Sequence, residues 1–387
     1  MKKTALVTCY FMDNYGSVLQ AYATQKLLDD KGIENETINI ENLLPIINKR
    51  KMGYFVKNIV RPDIIREKSK TIKKKIVEKT NKNNFGTNLA LRKKEFRNFR
   101  KCFHLTEAFH SFEELSSASE KYKNVIIGSD QLWLPSNIAG DYYTLNWVPE
   151  TVSKISFATS FGISALDKHS QDRAVHFLRK FDAISVREKS GADIVKSLIG
   201  LEPKIVCDPT LMFGAEEWTT FEKETNLSCG NYIFCYFIGN NREHRQFVRK
   251  LKKLTGYKIV GLLHIDEYIK SDEMFVDEAL YGISPDEFVS LIHNAAYVCT
   301  DSFHCTVFSV MFEKNFFVFK RFQKNTSVST NSRIFSLLKI LELEHRLVED
   351  YDDLQKYMSQ DMDFTVAAKN IKKLKKVSLD FLDTALH

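Results

Sequence analysis

The chain has 387 residues, more than one hydrophobic core usually serves, and its 44% hydrophobic and 27% charged residues are typical of a folded globular protein. This balance excludes an intrinsically disordered chain, and the absence of any run of about 18 uncharged apolar residues excludes a membrane-spanning helix. The formal net charge is +7, and the seven Cys form neither a Cys-x-x-Cys pair nor a Cys/His cluster with zinc spacing. We therefore expect two domains, no disulfide and no bound metal.

The first half alternates apolar strands with amphipathic helices. Ala5 to Cys9 predicts a buried strand rather than a signal peptide, because no small-residue cleavage site follows, so we expect a cytoplasmic protein. Apolar residues with helical spacing from Val18 to Leu28 predict a helix that stops at Gly32. Further strands are predicted at 37–40, 124–127, 154–158, 183–186 and 204–207. Strands alternating with helices indicate a mostly parallel, doubly wound α/β sheet, in which ligands bind beyond the carboxyl ends of the strands.

The positive charge is concentrated between Pro45 and Lys101, where 19 Lys and Arg face four acidic residues. Three interpretations stay open: a solvated helical insertion in the first domain, a surface that docks onto an anionic membrane, or a nucleic-acid-binding segment. We rank the last one lowest and expect no nucleic-acid partner. The segment contains no recognisable binding module, and its aromatic residues do not repeat as a stacking platform.

The alternating pattern restarts at Tyr232. Residues 213–230 are polar and lack an apolar period, so they predict a linker between an N-terminal domain of residues 1–212 and a C-terminal domain of residues 231–387. The basic insertion, at about 45–101, belongs to the first of these domains. In the second domain we predict strands at 232–238, 258–263, 297–300 and 316–319, and helices at 243–254 and 334–341.

Two side chains follow predicted strands in positions suited to anion binding. His304 ends the turn Asp301-Ser302-Phe303-His304, where a helix start favours anions and an imidazole can exchange protons. Arg187 follows strand 183–186, and its guanidinium can grip a carboxylate or phosphate with two parallel hydrogen bonds. From the residues alone, other interpretations stay open: His304 as a capping or packing histidine, and Arg187 in a surface pair with Glu188 or in a salt bridge to the next helix.

The remaining candidates lie in turns or next to strand and helix ends. Their glycines let a ligand approach the backbone, but none of the turns is a GxGxxG or a P-loop, and ordinary turn chemistry explains them as well. Asp208 is interpreted as the cap of its own turn. The candidate substrate-binding residues at these positions are Asn14, Gly16, Ser129, Asp130, Ser160, Asp301, Ser302, Arg321 and Arg333.

Six motifs, taken in order, resemble those of polysaccharide pyruvyl transferases. They are Asn14–Tyr22, Ile127–Trp133, Phe157–Gly162, Ile184–Glu188, Asp208–Leu211 and Thr300–Ser309. The resemblance implies two Rossmann-like domains facing a central cleft, as in GT-B glycosyltransferases, with phosphoenolpyruvate as the donor and no further cofactor. It also implies that pyruvate is attached as a ketal to a sugar of a cell-surface polysaccharide or of its lipid-linked precursor. On matching positions, His304 is the family's catalytic histidine and Arg187 an arginine that holds the donor.

Two positions depart from the family pattern: Cys305 stands where Gly is common, and Ser302 is the departure that matters. Many relatives carry Arg-Leu-His or Arg-Phe-His where this chain has Ser302-Phe303-His304, so one donor cation is missing, and Arg321 or Arg333 is the candidate replacement. Two alternatives therefore stay open: a nucleotide-sugar-dependent glycosyltransferase on the same scaffold, and a non-catalytic glycan-binding relative. Membrane contact through the basic segment would suit a lipid-linked acceptor and would place the protein at the inner face of the membrane.

Overall fold

A computed structural model describes residues 2–57, 75–80, 84–225, 227, 230–264, 268–321 and 332–387. The central part of the predicted basic insertion, residues 58–74 and 81–83, lies outside the described residues. The described strands form two sheets, and all neighbouring strands within each sheet are parallel. The predicted parallel, doubly wound α/β architecture is therefore confirmed.

The first sheet has seven strands in the order β3-β2-β1-β4-β5-β6-β7. Every residue of the two central strands, β1 and β4, is buried, as expected for parallel strands covered by helices on both faces. The strands are β1 (Thr4–Val7), β2 (Asn35–Asn39), β3 (Leu105–Ala108), β4 (Asn124–Ile127), β5 (Ser153–Thr159), β6 (Ala183–Val186) and β7 (Lys204–Ile205).

The second sheet repeats this arrangement with six strands, in the order β10-β9-β8-β11-β12-β13. The strands are β8 (Tyr232–Tyr236), β9 (Lys258–Leu262), β10 (Glu278–Leu280), β11 (Tyr297–Thr300), β12 (Asn315–Phe319) and β13 (Leu347–Val348). In both sheets the strand order reverses between two central neighbours, β1 and β4 in the first and β8 and β11 in the second. The connections diverge at these switch points and leave a crevice beyond the strand ends, where ligands of such sheets bind.

The helices that cover the first sheet begin with α1 (Tyr15–Asp30), which the Asn14 side chain caps by accepting the backbone N–H of Ser17. Residues 75–80 are helical and are labelled α3. The others in the first half are α2 (Leu44–Lys57), α4 (Phe85–Phe99), α5 (Phe112–Ser119), α6 (Pro135–Gly140), α7 (Lys168–Leu178), α8 (Lys189–Ile199) and α9 (Ala215–Phe221). Those that follow are α10 (Arg242–Thr255), α11 (Lys270–Glu273), α12 (Pro285–His293), α13 (Phe303–Met311), α14 (Ser332–Leu341), α15 (Leu354–Met358) and α16 (Thr365–Leu386).

The segment predicted as a linker is partly helical. Residues 215–221 form α9, whose Trp218 is buried and donates its indole N–H to the carbonyl of Thr210. A single buried Trp gives no periodicity, which explains why the polar residues around it concealed the helix. The predicted boundaries of the two domains stay a prediction.

The two halves pack against each other through aromatic residues. Tyr15 of α1 stacks on Phe288 of α12, with ring centroids 4.5 Å apart, and touches Phe96 of α4 on another side. Its hydroxyl donates to the carbonyl of Ile283 at 2.7 Å. One apolar cluster includes residues from both sheets, for example Ile126 and Val298, so the second half shares a continuous core with the first.

Part of the basic segment lies inside this interface. Arg92 of α4 is 1% exposed and donates hydrogen bonds to the carbonyls of Leu263, Leu280 and Tyr281 in the second half. A buried guanidinium that pairs with several carbonyls fixes α4 against the edge of the second sheet. Arg92 is therefore not a solvated charge, whereas Lys94 and Arg97 of the same helix are exposed, as the interpretation of a solvated insertion predicts. No helix among the described residues is long and apolar enough to cross a bilayer.

Candidate active site

Side chains from both sheets meet beyond the carboxyl ends of the strands. Five of them form a buried group of opposite charges, which we call the site cluster. The site cluster consists of Asp130 after β4, Arg187 after β6, Asp208 after β7, His304 at the start of α13 and Arg333 in α14. The first three residues come from the first half and the last two from the second.

Arg187 is the centre of the site cluster. Its Nη1 donates to Oδ2 of Asp208 at 2.6 Å and to Oγ of Ser129 at 3.2 Å, and its Nη2 donates to Oδ1 of Asp130 at 3.3 Å. The side chain is 1% exposed, and its guanidinium lies over the ring of Phe303, 4.6 Å from the centroid. The carboxylates and the Phe303 ring together keep the two terminal nitrogens of the buried guanidinium in one orientation.

Asp130 joins the two halves electrostatically. Its backbone has a φ of +80°, in the left-handed region that aspartate tolerates better than most residues. Its Oδ2 accepts from Oγ of Ser17 at 2.6 Å, and its Oδ1 lies 3.7 Å from Nη1 of Arg333. Burial alone would raise the pKa of Asp130, but Arg187, His304 and Arg333 hold it well below its usual range.

His304 is wedged between α1 and Asp208. A Cβ added at Gly16 would lie 1.9 Å from Nδ1 of His304, so only glycine at position 16 leaves room for the ring. On the other side, Nε2 lies 3.5 Å from Oδ2 of Asp208, and it makes no hydrogen bond within the described part of the chain. Burial would raise the pKa of Asp208, but His304 and Arg187 hold it well below its usual range, so a charged carboxylate faces the imidazole.

Arg333 is the second cation of the site cluster. Its guanidinium lies 5.8 Å from the centroid of the Phe303 ring, the same ring that Arg187 covers. With its amide oxygen turned towards Arg333, Gln131 accepts from Nε at 3.2 Å and from Nη2 at 2.9 Å. Burial and the nearby charge of Arg187 lower the pKa of Arg333 to about 9, although Asp130 opposes the shift. Two cations thus share one buried space.

The carboxyl group of Glu188 is also buried beside Arg187, in addition to those of Asp130 and Asp208. Oε1 of Glu188 accepts from Oγ of Ser160 at 2.8 Å, and its Oε2 lies 3.7 Å from Nε of Arg187. The side chains of Arg187 and Glu188 are 1% and 2% exposed, so the alternative of a surface pair is wrong. Burial raises the pKa of Glu188 despite the nearby arginine, which weakens this residue as a counter-charge.

Four of the predicted site residues lie close by without joining the site cluster. Asn14 caps α1, and Ser302 caps α13 by accepting the N–H of Cys305 at 3.4 Å. Asp301 turns away from His304, and its carboxylate accepts the backbone N–H groups of Ile238 and Gly239 at 2.6 and 2.8 Å. Arg321 donates to the carbonyl of Asp301 at 3.4 Å and contributes to the lowered pKa of Arg333.

The role of Asp208 in the site cluster is not evident from the sequence. Its Oδ1 does cap the turn, accepting from the backbone N–H of Thr210 at 3.1 Å, but its Oδ2 pairs with Arg187 and faces His304. Asp208 follows an apolar strand, the same signal that singled out Arg187. Ser17, Gln131 and Phe303 were also passed over, although each lies in a quoted motif.

The arrangement suits a small, multiply charged anion. Two arginine forks converge beside an imidazole in a space from which water is largely excluded, and such preorganised charges act strongly there. A donor with a phosphate and a carboxylate could bind one arginine with each group. Among the described residues, no group of three or more His, Cys, Asp or Glu is placed to hold a metal ion.

Comparison with known proteins identifies both the family and the fold. The model of the polysaccharide pyruvyl transferase family matches residues 14–321. A sequence comparison with curated proteins finds no match.

Among solved structures, S. aureus MnaA in complex with UDP is similar, with 13% identity and a TM-score of 0.53 over 99% of this chain and 95% of that one. The UDP-GlcNAc 2-epimerase of Methanocaldococcus jannaschii is similar too, with 8% identity and a TM-score of 0.52 over 99% of this chain and 100% of that one. At such identities the likeness shows the fold alone. It confirms two Rossmann-like domains in a GT-B-like arrangement.

Proposed function

The chain belongs to the polysaccharide pyruvyl transferase family, and on that premise we propose that it transfers pyruvate from phosphoenolpyruvate to a sugar, forming a ketal. The observation that carries the proposal is the convergence of Arg187 and Arg333 on one Phe303 ring beside His304. A donor that carries both a phosphate and a carboxylate requires two such cations and an adjacent proton donor.

The charge of the site cluster favours an anionic donor. Burial, and after it the nearby charge of Arg187, lowers the pKa of Arg333 to about 9. An anionic ligand beside Arg333 would favour its charged form, and Arg333 would take the part of the arginine that many relatives carry at the position of Ser302. Donor binding would require Arg187 to exchange part of its pairing with Asp130 and Asp208 for the ligand.

The chemistry that we propose follows from these positions. His304, in its protonated form, gives a proton to the methylene carbon of phosphoenolpyruvate, and C2 gains oxocarbenium character. A sugar hydroxyl attacks C2 and gives its proton to the imidazole of His304, which is neutral after the first step. Phosphate then departs with the electron pair of its C–O bond and leaves C2 with oxocarbenium character again. A second hydroxyl attacks C2 and gives its proton to the departed phosphate, which closes the ketal. The charged Asp208 carboxylate, 3.5 Å from Nε2, orients the imidazole.

The acceptor is proposed more coarsely. We infer a hexose of a cell-surface polysaccharide or of its lipid-linked precursor, since the family name specifies a polysaccharide. Contact of the basic segment with the inner face of the membrane would bring the protein to a lipid-linked acceptor.

Turnover with a saccharide panel tests the proposal. The protein is incubated with phosphoenolpyruvate and a set of hexosides, and released phosphate and ketal-bearing product are measured by colorimetry and mass spectrometry. We expect phosphate release that depends on the acceptor, with one ketal formed per phosphate. Glycosyl transfer from a UDP-, GDP- or CMP-sugar, with no ketal formed, would replace this proposal with the glycosyltransferase alternative.

A further inference from the structure

A second buried pair of a histidine and an aspartate lies beyond the carboxyl ends of the strands of the second sheet, outside the site cluster. His264 follows β9, and its Nδ1 lies 2.6 Å from Oδ2 of Asp272. Arg245 of α10 pairs with the other oxygen of that carboxylate. All three side chains are buried, with no more than 6% of each exposed.

The second ring nitrogen of His264 is buried without a hydrogen-bond partner in the described part of the chain. Burial would raise the pKa of Asp272, but His264 and Arg245 lower it, so the carboxylate stays charged. The carboxylate therefore accepts a hydrogen bond from the N–H group at Nδ1 of His264. In the neutral ring, Nε2 is then an acceptor. Nε2 is buried and finds no hydrogen-bond partner among the residues that the structure describes. An unsatisfied buried acceptor of this kind is stabilised when a ligand donates a hydrogen bond to it.

His264 borders a shallow depression that is lined by aromatic and polar side chains. Its cavity volume of about 10 Å³ leaves room for about one water or hydroxyl oxygen. Aromatic faces beside an amide and a carboxylate are a surface that suits the apolar faces and the hydroxyl groups of a sugar. The lining side chains include Phe85, Asn88, Tyr268, Glu273 and Tyr281.

The charges around the depression favour an uncharged ligand. Arg245 pairs with Asp272, Arg92 donates to the carbonyl of Tyr281, and Asp272 and Glu273 both line the depression. The guanidinium of Arg245 is therefore already paired with a carboxylate, whereas a phosphate would need an unpaired cation. A polyol needs no cation. No described set of His, Cys, Asp and Glu around it could hold a metal ion.

The depression also lies within reach of the site cluster. β9 is separated from β11 by β8 alone, so the ends of β9 and β11 lie about 10 Å apart at the usual strand spacing. His264 follows β9, and His304 comes shortly after β11, at the same edge of the sheet.

We propose that His264 binds a hydroxyl group of the saccharide acceptor, in a subsite formed by the second sheet and α4. The proposal rests on the proposed function for the identity of the ligand as an acceptor. Nε2 of His264 accepts a hydrogen bond from the sugar hydroxyl, and Asp272 fixes the tautomer of the ring. Arg92 holds α4 in place at the rim of the depression.

The test uses the full chain and 4-nitrophenyl pyranosides of gluco, galacto and manno configuration, with their 2-acetamido analogues as further probes. Saturation-transfer NMR gives their dissociation constants for the wild-type protein and for His264→Asn, which keeps a donor near Nδ1 and removes Nε2. His293→Asn is the matched control, because Nδ1 of His293 pairs with Glu222 at 3.0 Å elsewhere in the fold. Phosphoenolpyruvate binding is measured in parallel on all three proteins.

We expect at least one pyranoside to bind about tenfold more weakly to His264→Asn, the loss of about one hydrogen bond, and equally to the wild type and His293→Asn. Should His264→Asn not fold, the ¹⁵N resonance of Nε2 of His264 in the wild type must shift when the pyranoside is added. Equal affinities, an unmoved resonance, or no binding of any pyranoside while phosphoenolpyruvate still binds would overturn the subsite alone. Pyranoside binding that depends on His264, without any phosphoenolpyruvate binding, would instead count against the donor.

Discussion

At the residue scale, the contact between Gly16 and His304 links the two halves most closely. The glycine lies in the first turn of α1, and its missing side chain is what admits the imidazole. The six-motif resemblance includes both residues, but nothing in the sequence indicates that they touch. Their contact depends on how the two sheets approach each other, which local patterns do not encode.

Gly16→Ala should therefore displace His304. Because the added methyl would overlap the ring, we expect overpacking to lower the free energy of unfolding by about 1–3 kcal/mol, measured by urea denaturation. Gly53→Ala is the control, since among the described residues no atom outside the helix's own backbone lies within 4 Å of a Cβ built on this exposed glycine of α2. There, alanine should stabilise the helix by up to about 1 kcal/mol. Equal behaviour of the two variants would show that the close approach does not exist.

His304 itself should matter for rate more than for donor binding. Loss of a general acid typically costs about 10²–10⁴-fold, so His304→Ala should lower turnover at least about a hundredfold and leave phosphoenolpyruvate binding within a few-fold. Initial rates of phosphate release give the first quantity, and calorimetry gives the second. Near-normal turnover would rule out the catalytic role.

Asp208 and Asp130 should make stability depend on acid pH. Both have a lowered pKa in the folded state, so they contribute stability above the pKa of the unfolded chain, about 3.9, and lose it as pH falls through the folded value. Below about pH 4, each lowers the free energy of unfolding by up to about 1.4 kcal/mol per pH unit.

Asp208→Asn should flatten this pH dependence by the contribution of one group. At pH 7 it should also cost about 3–5 kcal/mol, because Arg187 loses its closest partner in a buried site. Urea unfolding between pH 3 and 7 measures both effects. A variant with the same slope as the wild type would show that Asp208 is not a charged member of the site cluster.

At the scale of elements, strands buried on both faces were predictable, whereas three of the four strands at the sheet edges were not; the fourth, β7, was predicted at 204–207 and ends at Ile205. The strands predicted at 124–127, 183–186 and 297–300 have those bounds in the structure. β3, β10 and β13 are short and partly exposed, so their sequences lack the apolar run that indicates a strand.

The last helix, α16, shows why local patterns miss long-range packing. Its Ser378 accepts the backbone N–H of Cys207 at 2.9 Å, 171 residues earlier in the chain. The helix thus binds the edge of the first sheet, although its sequence follows directly on the second. No periodicity within residues 365–386 reveals that partner.

Ser378→Ala tests this contact. The amide of Cys207 would lose its partner in the core, so we expect the free energy of unfolding to drop by about 1–3 kcal/mol in urea denaturation. Thr384→Ala serves for comparison, since its hydroxyl donates to the Asp380 carbonyl of the same helix at an exposed position. A loss of stability no larger than that of Thr384→Ala would mean that α16 does not depend on this bond.

At the scale of the whole molecule, the strand ends indicated where the site lies, but not which residues share it. Asp208 and Asp301 both follow strands, and the sequence favoured Asp301. In the structure, the carboxylate of Asp301 accepts two backbone N–H groups, and the carboxylate of Asp208 faces the imidazole of His304. The facing of two parallel sheets at their switch points decides such partners, and it exists only in the folded chain.

Donor binding by the whole protein tests whether Arg187 and Arg333 form a phosphoenolpyruvate site. Thermal unfolding is followed with phosphoenolpyruvate, inorganic phosphate and UDP-GlcNAc, for the wild type and for Arg333→Met. We predict that phosphoenolpyruvate at a hundred times its Kd stabilises the wild type by about 2.7 kcal/mol and Arg333→Met far less. Stabilisation by UDP-GlcNAc alone, or an equal effect of phosphoenolpyruvate on both proteins, would contradict a phosphoenolpyruvate site built on the two arginines.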